Sequence, residues 1–189
     1  SLLSPSASPI IWGYEADHPF PEQARGVSTC GLSYCLAPGT GTWRSFTGRW
    51  ENAKANLESA VKNAIEHKAD GVLLTSWGDC GNHQPWAVLY PPLVYAAQLC
   101  WNGKLFEDTQ VIDATSHLIF GSESENPVKA ILEIGKLDKI AGTQLPNTSL
   151  PWYLLFAPQV EKLEKYLTEH HKHRQLEEVL RFLNESRDM

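Results

Sequence analysis

Three short apolar runs limit what this chain can fold into more than any other feature: residues 9–14, 32–37 and 71–77. Each gives way to a polar segment rich in glycine or proline, at 15–19, 38–44 and 78–85. A run of this length bounded by turn residues reads as a buried strand. Between the second and third runs Ala53, Leu57, Ala60, Val61, Ala64 and Ile65 recur every three or four residues. That spacing predicts an amphipathic helix from residue 50 to about 68, ending ahead of Asp70 and Gly71. A short helix at about 21–29 fits the first crossover, and another at about 92–101 follows the last strand. Strand, loop and helix repeated three times imply α/β architecture, with a parallel sheet whose loops gather at the C-terminal strand ends. Loops in that position are where sites are built.

Three such units cannot close a barrel, which takes eight strands and about 250 residues. An open parallel sheet with bare edges is also a poor isolated domain, because such sheets are normally covered on both faces. The expectation is a piece of a longer chain, or a chain with an obligate partner that supplies the remaining strands. After residue 102 the pattern turns helical, at 109–120, 127–141, 158–171 and 175–184. The last two carry Val160, Leu163, Tyr166 and Leu167, then Leu176, Val179, Leu180 and Leu183, the spacing of a helical hairpin. His170, His171 and His173 fall at its turn and read as a solvated turn rather than a metal site. The chain thus divides into a partial barrel, 1–102, and a helical extension, 103–189.

Composition narrows the function. With 16 Lys and Arg against 22 Asp and Glu, a net charge of −6, no basic field exists to neutralise phosphates, so nucleic-acid and membrane-surface partners are set aside. No apolar run reaches the roughly 18 residues of a membrane span. The opening residues Ser1 to Pro5 lack the charged and apolar regions of a leader and look like the interior of a longer protein. Cys30, Cys35, Cys80 and Cys100 are too sparse for a disulfide scaffold and lack zinc spacing, so free thiols and no metal or cofactor are expected. Sequons at Asn147 and Asn184 carry little weight, because so short a motif arises by chance. Seven tryptophans are more informative. Trp12, Tyr14, Tyr34, Trp43, Trp77 and Trp86 interleave with Glu15, Asp17, His18, Arg44, Asp79 and His83 around the strand ends. Aromatic walls with a few carboxylates suit a sugar, whose C–H faces stack and whose hydroxyls need acceptors.

Three ordered motifs then carry a resemblance. They are Trp12-Gly13-Tyr14-Glu15-Ala16-Asp17-His18-Pro19-Phe20; Ala37-Pro38-Gly39-Thr40 with Trp43 and Gly48-Arg49; and Thr75-Ser76-Trp77-Gly78-Asp79 with Gln84-Pro85. Over residues 9–100 the chain resembles the C-terminal part of the catalytic barrel of glycoside hydrolase family 20, the β-N-acetylhexosaminidases, in its bacterial-type branch. The resemblance implies a (β/α)8 TIM barrel of which this chain holds the last three strands, followed by a helical tail. It implies retaining hydrolysis assisted by the substrate's own acetamido carbonyl, an exception to the two-carboxylate scheme. The adjacent Asp-Glu pair that orients the acetamide and protonates the leaving oxygen is absent here, since Glu107-Asp108 is reversed and lies beyond the strands. This chain alone is therefore expected to be inactive and to supply sugar-pocket residues.

By the resemblance, Trp12, Trp43 and Trp77 line the pocket, Tyr34 hydrogen-bonds the acetamide carbonyl, and Asp79 accepts from the 4- and 6-hydroxyls. In a strand, Trp77 and Asp79 share a face. Glu15 is a further candidate, although a salt bridge to Arg44 or Arg49 explains it equally well. The implied partners are an N-acetylhexosamine-containing glycan and the N-terminal half of the barrel, in the same or a second chain, or else self-association. The loop at 78–85 departs from the family's Gly-Asp-Asn-Gly-His-Trp-Gln-Pro: Cys80 replaces an amide and Asn82-His83 replaces a His-Trp pair. A non-catalytic carbohydrate-binding or scaffold relative is the alternative.

Overall fold

A computed structural model describes Ser4 and residues 6–137 and 145–156. Its centre is a three-stranded parallel sheet in the order β1 (Ile10–Trp12), β2 (Cys35–Ala37), β3 (Gly71–Val72). Ile10 lies opposite Cys35, Trp12 opposite Ala37, and Cys35 opposite Gly71. The regular strands are shorter than the apolar runs, partly because Pro38 has no N–H to give the ladder. Pairing nevertheless continues past them: Leu73 N donates to Leu36 O at 2.8 Å, Thr75 N to Pro38 O at 3.0 Å and Thr40 N to Thr75 O at 2.9 Å.

Helix α1 (Phe20–Ser28) carries proline in its first turn, where a missing N–H costs nothing. Helix α2 (Trp50–Glu66) follows the predicted period. Helix α3 (Tyr90–Asn102) opens on Pro91 and Pro92 and stops at Gly103, whose φ of 68° makes the left-handed cap that favours glycine. Helix α4 (Asp108–Ala114) begins where Glu107 N donates to Gln110 Oε1 at 3.0 Å, and it runs into a π-helical turn at Thr115–Ile119. Helix α5 (Asn126–Ile134) follows, and then α6 (Leu150–Phe156), which the apolar spacing did not predict. The hairpin expected at 158–171 and 175–184, with its histidines, lies outside the described residues.

Two buried clusters hold these elements together. Phe20, Ala24, Tyr34, Leu36, Ala60 and Ala64 lie where α1 and α2 cover one face of the sheet. Trp50, Leu57, Val61, Tyr95 and Leu99 from α2 and α3 pack with Val111, Ile112, Val128 and Leu132 from α4 and α5. Residues from both sides of the 102/103 division therefore share one core.

The other face of the sheet is different. The register puts Ile10, Trp12, Cys35, Ala37 and Leu73 on it, and among the described residues no helix covers them. Ile10 is 53% exposed, Trp12 63% and Leu73 49%. Among the described residues β1 and β3 each have a neighbour on one side only. The chain is mixed α/β, with one sheet face packed and one open.

Candidate functional site

The open face ends at a cavity of about 500 Å³ beside the C-terminal strand ends. Trp12, Tyr14, Trp43 and Trp77 wall it, with Thr75, Asp79 and Asn147 as polar lining. Trp43 is buried and forms the floor; Tyr14 meets it edge to face, with centroids 4.9 Å apart and planes at 79°. The Tyr14 ring stands 5.5 Å from Trp12 and 6.4 Å from Trp77. Trp77 Nε1 donates to the Tyr14 hydroxyl oxygen at 2.9 Å, which leaves the Tyr14 proton for another acceptor. Asp79 is exposed at the start of a tight turn in which Cys80, Gly81 and Asn82 all have positive φ, at 60°, 114° and 53°. Among the described residues it is the only carboxylate lining the cavity. A larger groove, about 690 Å³, crosses the outer surfaces of α2 and α3; Glu58, Lys62 and Glu66 line it with no aromatic ring, so it lacks stacking surface for a sugar.

The loops that carry these rings are fixed by α2. Asn56 is fully buried; its Nδ2 donates to Gly13 O at 3.0 Å and Glu15 O at 2.8 Å, while its Oδ1 accepts from Gly39 N at 3.1 Å. One turn earlier, Asn52 Nδ2 donates to Tyr14 O at 2.7 Å and Oδ1 accepts from Ala16 N at 2.9 Å. One helix thus satisfies the backbone of the loops after both β1 and β2, which otherwise would leave buried polar groups unpaired. Sequence reasoning missed both amides. Their signal was there: Asn52 and Asn56 interrupt the apolar stripe of Ala53, Leu57 and Ala60.

The structure brings Trp12, Trp43, Trp77 and Asp79 together and leaves two expected residues out. Tyr34 is 2% exposed on the helix-covered face, and its hydroxyl donates to His67 O at 2.9 Å. Burial and the nearby Asp70 push that hydroxyl's pKa up. The tyrosine in the cavity is Tyr14. Glu15 faces a clamp instead: Arg49 Nη1 and Nη2 reach its two oxygens at 3.1 and 2.6 Å, and Asn147 N donates to Oε1 at 2.8 Å. Arg49, one of the two guanidiniums the sequence offered, is 2% exposed, whereas Arg44 lies over Trp152. Trp86 is largely exposed and does not line the cavity, and His18 pairs with Gln23 and packs on Phe20. Trp77 and Asp79 share the cavity although regular pairing ends before them, so the turn rather than strand alternation places Asp79.

The segment 145–156 returns to the same end of the sheet. Ser149 N and Thr148 Oγ1 both donate to Arg44 O, at 2.9 and 3.1 Å. The Arg44 guanidinium lies 4.9 Å over the Trp152 ring. Trp152 Nε1 donates to His83 Nδ1 at 3.0 Å, so neutral His83 carries its proton on Nε2, and the His83 ring stacks on Phe156 at 4.6 Å. This clasp joins the loops after β2 and β3 and delivers Asn147 to the cavity.

Among the described residues no three His, Cys, Asp or Glu side chains gather as a metal site, and no helix is long and apolar enough to cross a membrane. The chain matches no family model and no curated protein.

Proposed function

We propose that this chain is the sugar-binding C-terminal part of a β-N-acetylhexosaminidase-like (β/α)8 barrel, and that its cavity takes a terminal β-linked N-acetylhexosamine of a glycan. The observation that carries the reading is the four-ring wall of Trp12, Tyr14, Trp43 and Trp77 around Asp79, at the C-terminal end of a parallel sheet. Rings at this spacing stack on pyranose C–H faces, and a carboxylate among them takes hydroxyl protons. Trp77 and Asp79 fix the sugar's orientation. Tyr14, whose oxygen is already occupied by Trp77 Nε1, is free to donate to the acetamide carbonyl. That contact strengthens as charge develops on the carbonyl during its attack on the anomeric carbon.

Among the described residues Asp79 is the only carboxylate lining the cavity, so protonation of the leaving oxygen falls to groups beyond them. The remaining strands of the barrel would carry those groups, cover Ile10, Trp12 and Leu73, and pair the open edges of β1 and β3. The lone carboxylate also favours a second reading, a relative that binds the sugar without cleaving it.

The test has two halves. Titrating the chain with N-acetylglucosamine while following tryptophan fluorescence should give a saturable change that Trp77→Ala and Asp79→Asn each abolish or weaken; no saturable change overturns the sugar site. A chromogenic β-N-acetylglucosaminide should be cleaved only by a form that includes the complementary barrel strands. Binding without cleavage in either form selects the non-catalytic reading, and cleavage by this chain alone refutes the missing acid.

A further inference from the structure

We propose that Asn147 is a specificity-determining contact of the cavity, its side-chain oxygen accepting a hydrogen bond from a hydroxyl of the bound sugar. The inference rests on the sugar-binding reading above and adds to it a residue from the far side of the chain. Asn147 follows neither a strand nor a barrel helix, yet it lines the cavity with Trp43, Trp77 and Asp79. Its backbone is fixed there twice: its N–H donates to Glu15 Oε1 at 2.8 Å, and a short bridge joins Leu145 to Thr148 on either side of it. Its φ of 57° is left-handed, a conformation asparagine tolerates better than most side chains.

The side chain is the second observation. Asn147 Oδ1 is closed off from solvent and has no hydrogen-bond partner among the described residues. A buried amide oxygen left this way is uncommon and unfavourable, so it asks for a donor. Nothing in the cavity fills that need: Tyr14 makes no hydrogen bond to it, the tryptophan walls present ring faces, and Asp79 is itself an acceptor. A ligand rich in hydroxyls supplies what both lack. Two acceptors, Asp79 and Asn147, together with the Tyr14 donor, make a polar pattern that a sugar satisfies and a flat aromatic ligand does not. Meeting such a hydroxyl requires a turn about χ2 that exchanges the enclosed oxygen with the amide nitrogen.

Fluorescence titration of the whole chain with N-acetylglucosamine and its monodeoxy analogues tests this. Asn147→Gly is the variant of choice, because glycine keeps the left-handed backbone while removing the amide; a thermal melt confirms that the fold is retained. The expected result is about a tenfold loss of affinity for N-acetylglucosamine. One deoxy analogue should show the same loss against the wild-type chain and no further loss against Asn147→Gly. Equal affinity of variant and wild type overturns the proposal. So does a variant that discriminates every deoxy analogue as the wild type does, which is what a purely structural role gives. No saturable binding by the wild-type chain overturns the sugar reading, and this inference with it.

Discussion

The two faces of the sheet are built from the same strands and nearly the same residue types, and they have opposite fates. On one, Leu36 and Tyr34 are sealed beneath α1 and α2 with Phe20, Ala60 and Ala64. On the other, Ile10, Trp12 and Leu73 stand about half exposed or more beside the cavity. Apolar area is worth about 25 cal/mol per Å² only when it leaves water. The covered face therefore contributes to folding, whereas the open face keeps its apolar area available for something that binds it. Contiguous exposed apolar surface of this kind marks an interaction site.

That contrast can be broken by substitution. The largest effect belongs to the covered face: Leu36→Ala should cost about 2–5 kcal/mol in urea unfolding, the range for a large-to-small change in a packed core. Next comes the clamp that ties the cavity loops together. Arg49→Ala removes both guanidinium contacts from Glu15, whose side chain is 24% exposed, and should cost about 2 kcal/mol. Arg49→Lys should restore little of it, because a lysine cannot reproduce the two-pronged contact.

A smaller effect is read by pH on the helical side. Burial alone would raise the Asp108 pKa, but the hydrogen bond and charge of Lys54, with Lys136 nearby, outweigh it and hold the carboxyl below its usual range. Its contribution is therefore present above the unfolded value of about 3.9 and is lost as pH falls through the lower folded value. Acid melts of the wild type should drop in that window, and Asp108→Asn should flatten the drop. Smallest of all is the open face: Trp12→Ala should change stability by no more than about 0.5 kcal/mol. If it costs as much as Leu36→Ala, the two faces are equally part of the core and the comparison fails.

Much of the scaffold was legible. The three strands and α2 announce themselves through unbroken apolar runs and a clean helical period, both set by local sequence. The pairing of Tyr34 with the wrong face shows where legibility stops. Trp12 and Ala37 are opposite each other, so Tyr34, an odd number of residues from Ala37, must face the helices. That parity follows only once the register is known, and register is decided by packing between distant segments. Helix α6 was missed for a related reason: Leu150–Phe156 is apolar almost throughout, so it has no polar side to mark a period. Asn147 looked like a chance sequon because nothing near it in sequence points to the cavity it reaches.

The bond from Asn147 to Glu15 joins residues 132 positions apart, and that separation orders events in time. The entropy of closing a loop grows with its length, and contacts of high sequence separation are slow to form. The pairing of β1 with β2 and of β2 with β3 spans far shorter separations. The cavity's last wall is thus expected to form after the sheet it joins. In pulse-labelled amide exchange, protection at Asn147 should trail that at Leu73, and simultaneous protection would mean that the sheet and the site form together.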